Sequence, residues 1–179
     1  MTVTNTILSY EDLKLLQEQL ALCKHLEGYT AEIGVYKGNT SKIIASIDPN
    51  KKHYCYDTFE GICNAQSIFG DVHKNGDFHC TLDEVKRNIN RDNVIYKKGF
   101  FPNTFEEDLE TFCFVYSDTA TYYGARDTYL KFQNNIPQNG KILFYVGNND
   151  GVHHAIQYFI NDKRFDVSYI SNIIIFTRK

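Results

Sequence analysis

The sequence predicts an α/β fold: a mostly parallel sheet of seven strands, helices on both faces, and an antiparallel hairpin at the end. Three observations carry this. β-rich and helix-periodic segments alternate along most of the chain. The run 112–117, Phe-Cys-Phe-Val-Tyr-Ser, is apolar on both faces, as a buried parallel strand requires. The last two β-rich runs, 166–170 and 173–177, have only two residues between them. Parallel neighbours need a crossover of a dozen residues or more, so these two strands pair antiparallel.

The elements follow in order. Ser9 and Asp12 have the spacing of a capping box. Leu13, Leu16, Leu20 and Cys23 then recur at helical spacing, and Gly28 stops the helix, so residues 1–28 form an N-terminal helical segment. Residues 30–35 are the first strand. Residues 40–47 are a helix with Ile43, Ile44 and Ile47 on one side, ended by the turn Asp48-Pro49-Asn50. Residues 52–57 are the second strand. The stretch 61–80 is polar and rich in Gly, Asn and His, a length and composition that read as a lid or binding loop. Thr81 and Glu84 form another capping pair for a helix to residue 89. Strands at 93–97 and 112–117, a helix at 122–134, a strand at 141–146 and a helix at 152–160 complete the series before the hairpin. No repeat or linker interrupts it, so one domain over 1–179 is expected.

The bulk numbers narrow the function classes. A formal net charge of -3 and no Lys/Arg run give no electrostatic case for nucleic acid or an acidic membrane surface. No apolar run approaches spanning length. Cys23, Cys55, Cys63, Cys80 and Cys113 are odd in number, scattered, and free of any Cys-x-x-Cys, which reads as reduced thiols in a cytoplasmic protein. No basic segment followed by an apolar one opens the chain, so no signal peptide is expected. Sheet folds of this size often pair, which makes a homodimer the assembly to test.

The first strand runs into Glu32-x-Gly34-x-x-x-Gly38, and the second ends on Asp57. A nicotinamide fingerprint would read Gly-x-Gly-x-x-Gly. In an open parallel sheet ligands bind at the carboxyl ends of the strands, where Glu32 sits. A carboxylate there suits a cofactor carrying an ammonium and a sulfonium, and repels a pyrophosphate. Gly34 would let backbone approach that cofactor, Gly38 would permit tight entry into the next helix, and Asp57 could accept both ribose hydroxyls. These features point to S-adenosylmethionine and away from a dinucleotide.

The strings Glu32-Ile-Gly-Val-Tyr-Lys-Gly-Asn-Thr-Ser41, Asp57-Thr-Phe-Glu-Gly61, Lys98-Gly-Phe-Phe-Pro-Asn-Thr-Phe105, Phe114-Val-Tyr-Ser-Asp118 and Gly151-Val-His-His-Ala-Ile156 resemble the macrocin O-methyltransferase (TylF-like) family. The resemblance implies a Rossmann-like class I methyltransferase fold with S-adenosylmethionine at the carboxyl edge of the sheet. Its motif residues map onto Glu32, Gly34, Gly38, Asp57 and Asp118; Thr58, beside Asp57, and Gly99, after the third strand where an adenine would lie in this fold, are further cofactor-binding candidates. The resemblance also implies a sugar or small-molecule hydroxyl as acceptor, and a magnesium ion.

The chain departs from that pattern where the metal belongs. After the fourth strand the family's Asp-x-Asp-x-Tyr reads Asp118-Thr-Ala120-Thr-Tyr122, and Tyr145-Val146 stands where the acid pair after the fifth strand would fall. Asp118 is left as the catalytic candidate, general base or metal ligand. Asp150, with Asn148 and Asn149, could supply displaced ligands; on so few carboxylates no metal site is expected. Two readings stay open: an O-methyltransferase, or a degenerate relative that keeps the cofactor pocket without metal-dependent catalysis. His73, His79 and Cys80 in the candidate lid lack zinc spacing. His153 and His154 point in different directions from one helix. Tyr122 and Tyr123 could line an acceptor pocket.

Overall fold

A computed structural model describes residues 8–106 and 111–179. Its elements are α1 (Tyr10–Cys23), β1 (Tyr29–Ile33), α2 (Asn39–Ser46), β2 (His53–Asp57), α3 (Leu82–Ile89), β3 (Val94–Lys98), β4 (Phe112–Ser117), α4 (Tyr122–Phe132), β5 (Lys141–Tyr145), α5 (Asp150–Gln157), β6 (Phe165–Ile170) and β7 (Ile173–Arg178). The strands form one sheet in the order β3-β2-β1-β4-β5-β7-β6. β1 to β5 run parallel, β7 pairs antiparallel with β5, and β6 pairs antiparallel with β7. The expected hairpin is therefore present, inserted so that its second strand lies inside the sheet and its first at the edge.

Both faces are covered. On one, Ala31, Ile33, Tyr56, Val115 and Phe144 pack against Ala125, Tyr129 and Phe132 of α4 and against Val152, Ala155 and Ile156 of α5. On the other, Phe114, Tyr116, Leu143 and Ile175 meet Leu16, Leu20 and Cys23 of α1 and Ile44 of α2. Val85 and Ile89 of α3 extend that layer over Val35 and Cys55. Every residue of β4 is buried, which accounts for its unbroken apolar run.

Chain direction reverses beside β1: the chain goes outward through β2 to β3, then returns to lay β4 on the other side of β1. The crevice between the loops that leave β1 and β4 is the place where an open α/β sheet binds ligands.

Element ends differ from the sequence reading by a few residues, each for a local reason. β1 stops at Ile33 because Gly34 turns the backbone to φ +84. α5 begins at Asp150, two residues early, because the Asn149 side chain accepts from the Gly151 and Val152 amides. Ser9 caps α1, and Thr81 with Glu84 makes a reciprocal capping box on α3, as their spacing predicts.

Candidate active site

The crevice opens into a cavity of about 420 Å³. Ligand clefts run from about 300 to 1,000 Å³. Glu32, Gly34, Asp57, Thr58, Gly99 and Asp118, six of the seven residues assigned to a cofactor from sequence, line it. Gly38 lies outside the lining. It caps α2 at φ +79, and a Cβ there would meet Ile89 of α3 at 2.7 Å, so its role is the expected tight helix entry plus close packing.

Gly34, which lines the cavity, has a structural reason beside the one expected. A Cβ on it would stand 2.3 Å from the Asp118 carbonyl oxygen. The glycine lets the loops after β1 and β4 touch, and that contact closes the floor of the crevice.

Glu32 forms this floor. It is 1% exposed and accepts a short hydrogen bond from the Ser41 hydroxyl, which in turn receives the Cys55 thiol at 3.2 Å. Burial, with Asp118 and Asp57 nearby, holds its carboxyl well above the usual range. No Lys, Arg or His bonds to it among the described residues. A buried carboxylate served by one hydroxyl is short of a cation.

Asp57 is more committed than expected. Its Oδ2 accepts from the amides of Val35 at 2.6 Å and Tyr36 at 3.1 Å, and its Oδ1 accepts from Phe59 at 2.7 Å. A carboxylate has about four acceptor positions. Asp57 therefore first braces the turn after β1, and only about one position remains for a ribose hydroxyl instead of the pair expected. Thr58 is likewise turned inward, its hydroxyl donating to the Gly61 carbonyl at 2.7 Å. The Gly99 amide donates to the Asp57 carbonyl at 3.0 Å, setting the wall after β3.

Asp118 follows β4, half-buried, and its amide donates to the Ile33 carbonyl at 2.8 Å. Desolvation raises its carboxyl to about 7. A carboxyl with that poise is matched to proton transfer near neutral pH.

Part of the 61–80 stretch reaches the cavity. Ile62, Val72, His73 and Phe78 line it. The stretch is held by its own bonds, Ile62 amide to Asp77 carbonyl and Gly76 amide to Ile62 carbonyl, both 2.8 Å. Asp71, buried, accepts from the Gln66 amide at 2.8 Å and from the Tyr122 amide at the start of α4 at 2.7 Å. Phe69 stacks on Tyr122 with centroids 4.4 Å apart, and its carbonyl meets His154 Nδ1 at 3.0 Å. So Tyr122 packs on the 61–80 stretch while Tyr123 faces the cavity, and His154 holds that stretch from α5. Asp71 and Ser41 carried no assigned role from sequence. Ser41 sits on the sheet-facing side of a short helix, a position where a buried polar residue signals a buried partner. Asp71 has no local signal.

The four bulky or β-carbon-bearing residues Tyr36, Phe59, Phe78 and Ala120 take left-handed φ between +48 and +59 around this site. Such backbone is costly for them and concentrates at functional sites.

The metal expected from the resemblance does not fit. Among the described residues no group of three or more His, Cys, Asp or Glu could hold an ion. Asp150 is exposed at the head of α5 and is not part of the cavity wall. Asn149 is used up as the helix cap and by donating to the Ala120 carbonyl at 2.6 Å. The displaced ligand set suggested by residues 148–150 is therefore not assembled.

No known family profile and no curated protein sequence matches the chain. Solved structures do. The O-methyltransferase NovP superposes with a TM-score of 0.80 at 16% identity, over 97% of this chain and 82% of NovP. CalS11, a calicheamicin methyltransferase, gives 0.77 at 13% identity, over 93% and 78%. An O-methyltransferase from Bacillus cereus in complex with SAH gives 0.66 at 12% identity, over 96% and 82%. The fold is that of the class I methyltransferases. At these identities the likeness establishes the fold and leaves the chemistry to the site. No helix among the described residues is long and apolar enough to cross a membrane.

Proposed function

We propose that this chain is an S-adenosylmethionine-dependent O-methyltransferase acting on a hydroxyl of a sugar or small molecule. One observation carries the reading: Glu32, a buried carboxylate without a cation, floors a ligand-sized cavity at the point where chain direction reverses. S-adenosylmethionine fits these residues, because its ammonium supplies the missing charge. Glu32 would hold that ammonium, and the walls at Asp57 and Gly99 would hold the nucleoside. The bound group supplies a methyl on a sulfonium, electrophilic enough for direct displacement.

The chain's own residues do the rest. The Gly34 contact with Asp118 and the amide bonds of Asp57 pre-shape the crevice, so little is reorganised on binding. The 61–80 stretch, braced by Asp71, would help to exclude water once ligand is bound. Asp118, on the cavity wall, would take the acceptor's hydroxyl proton on a carboxylate oxygen. The finer reading, a macrocin O-methyltransferase-like enzyme, draws on the five sequence strings. The sugar class also draws on a fold neighbour, CalS11, described as a TDP-rhamnose 3'-O-methyltransferase.

Calorimetry with S-adenosylmethionine and S-adenosylhomocysteine, followed by a methyl-transfer screen over sugar and small-molecule hydroxyls, tests this. Saturable binding and turnover support it. Binding with no turnover on any acceptor would favour the degenerate reading, and no binding would end both.

A further inference from the structure

The loops after β4 and β5 offer a divalent cation one carboxylate, that of Asp118, and commit the Ala120 carbonyl and the Asn149 amide oxygen to hydrogen bonds of their own. Resting on the methyltransferase reading above, we propose that methyl transfer in this chain runs without a divalent metal ion, the Asp118 carboxylate itself receiving the acceptor's proton.

Four placements carry this. Two residues after Asp118, Ala120 offers a methyl group where a second acid would be needed, on backbone at φ +55. Its carbonyl oxygen, the remaining candidate at that position, accepts from Asn149 Nδ2 at 2.6 Å. Asn149 Oδ1 accepts from the amides of Gly151 at 3.0 Å and Val152 at 3.3 Å, so its side chain has no free lone pair aimed at the cavity. At the end of β5, where Phe144 is registered with Ser117 of β4, the next residue is Tyr145, a neutral phenol on the cavity wall. Magnesium demands near-octahedral oxygen ligands and is usually held by one or two carboxylates together with substrate phosphates. Asp118 alone, with an acceptor hydroxyl, does not make that set.

The step balances without an ion. The acceptor oxygen bonds to the methyl carbon as the carbon–sulfur bond breaks. That bond's electron pair returns to sulfur, which becomes a neutral thioether. The hydroxyl proton passes to an Asp118 carboxylate oxygen and leaves from there to solvent. Negative charge never has to rest on a metal-bound alkoxide, because proton removal accompanies attack.

Manganous ion is a spectroscopic probe for a magnesium site. The full chain is titrated with Mn2+ in the presence of S-adenosylhomocysteine, with free Mn2+ read by electron paramagnetic resonance. The same titration on Asp118→Asn, with S-adenosylhomocysteine affinity measured alongside, separates this site from any other. We expect no saturable Mn2+ binding that Asp118→Asn abolishes, and S-adenosylhomocysteine affinity unchanged by Mg2+ or by chelator. One Mn2+ bound per chain and lost in Asp118→Asn would overturn the inference while leaving the methyltransferase reading intact. Failure of S-adenosylhomocysteine to bind would overturn both. Mn2+ binding that survives in Asp118→Asn lies elsewhere and agrees with the proposal.

Discussion

The Ser41 hydroxyl donates to the Glu32 carboxylate beneath the cavity, and nothing cationic among the described residues joins them. This pair sets the charge of the site. The fold holds an acid almost wholly out of solvent at the cavity floor and leaves the counter-charge to come from the ligand.

Glu32→Gln should therefore separate affinity from stability. A charge-assisted hydrogen bond contributes about 1.5–3 kcal/mol, so S-adenosylhomocysteine should bind about 10- to 100-fold more weakly. The ligand-free variant should melt at the same temperature or higher, because a neutral amide replaces a buried acid that has no cation. Calorimetry and thermal melts check the two halves. A variant that binds normally would remove Glu32 from the cofactor site.

The pH dependence has a definite sign. Asp118 is raised from 3.8 to about 7, and Glu32 is raised as well. A raised carboxyl favours the fold while it is protonated. That stability is fully present below the unfolded pKa and is lost as pH rises through the folded one. For Asp118 the window runs from 3.8 to about 7. Melting temperature of the ligand-free chain should fall across it, and Asp118→Asn should flatten the fall. Glu32, Tyr116 and Tyr145 feel the Asp118 charge, all three are acids raised by burial and by that charge, and none reverses the direction. Turnover should rise with pH through about 7, as Asp118 becomes able to accept a proton.

Gly34→Ala should fail for steric reasons before chemical ones. The new methyl would lie 2.3 Å from the Asp118 carbonyl, on backbone at φ +84. Left-handed backbone alone costs a non-glycine residue about 1–2 kcal/mol, and the collision adds to it. Loss of stability together with loss of S-adenosylhomocysteine binding is the expected result in denaturant titration and calorimetry.

Asp71→Ala should loosen the lid while sparing the sheet. It would strip the acceptor from the Gln66 and Tyr122 amides. Leaving such donors unpaired costs about 1–3 kcal/mol. Hydrogen exchange should quicken over 61–80 and at the start of α4, with β4 and β5 unchanged.

The sheet was legible because its signals are local. The run 112–117 is apolar throughout since β4 is buried on both faces, and the gap before residue 173 is too short for a crossover. Glu32 and Asp57 were legible as strand-end acids. What each acid bonds to was not. Asp57 meets Val35 and Tyr36 across 22 and 21 residues, and Asp71 meets Tyr122 across 51, pairings that no local spacing announces. The loop contact of Gly34 was hidden for the same reason, because its neighbour Asp118 follows the adjacent parallel strand. Asn149 was the nearer miss. As a capping residue immediately before Asp150-Gly151-Val152 it could have been read as the helix start instead of a metal ligand.

The most direct test is a crystal structure of the chain with S-adenosylhomocysteine. The account predicts the molecule in the crevice between the β1 and β4 loops, its amino group within hydrogen-bonding distance of Glu32 and its sulfur facing Asp118. Density for the molecule anywhere else, or a crevice that stays filled by side chains at saturating ligand, would contradict it.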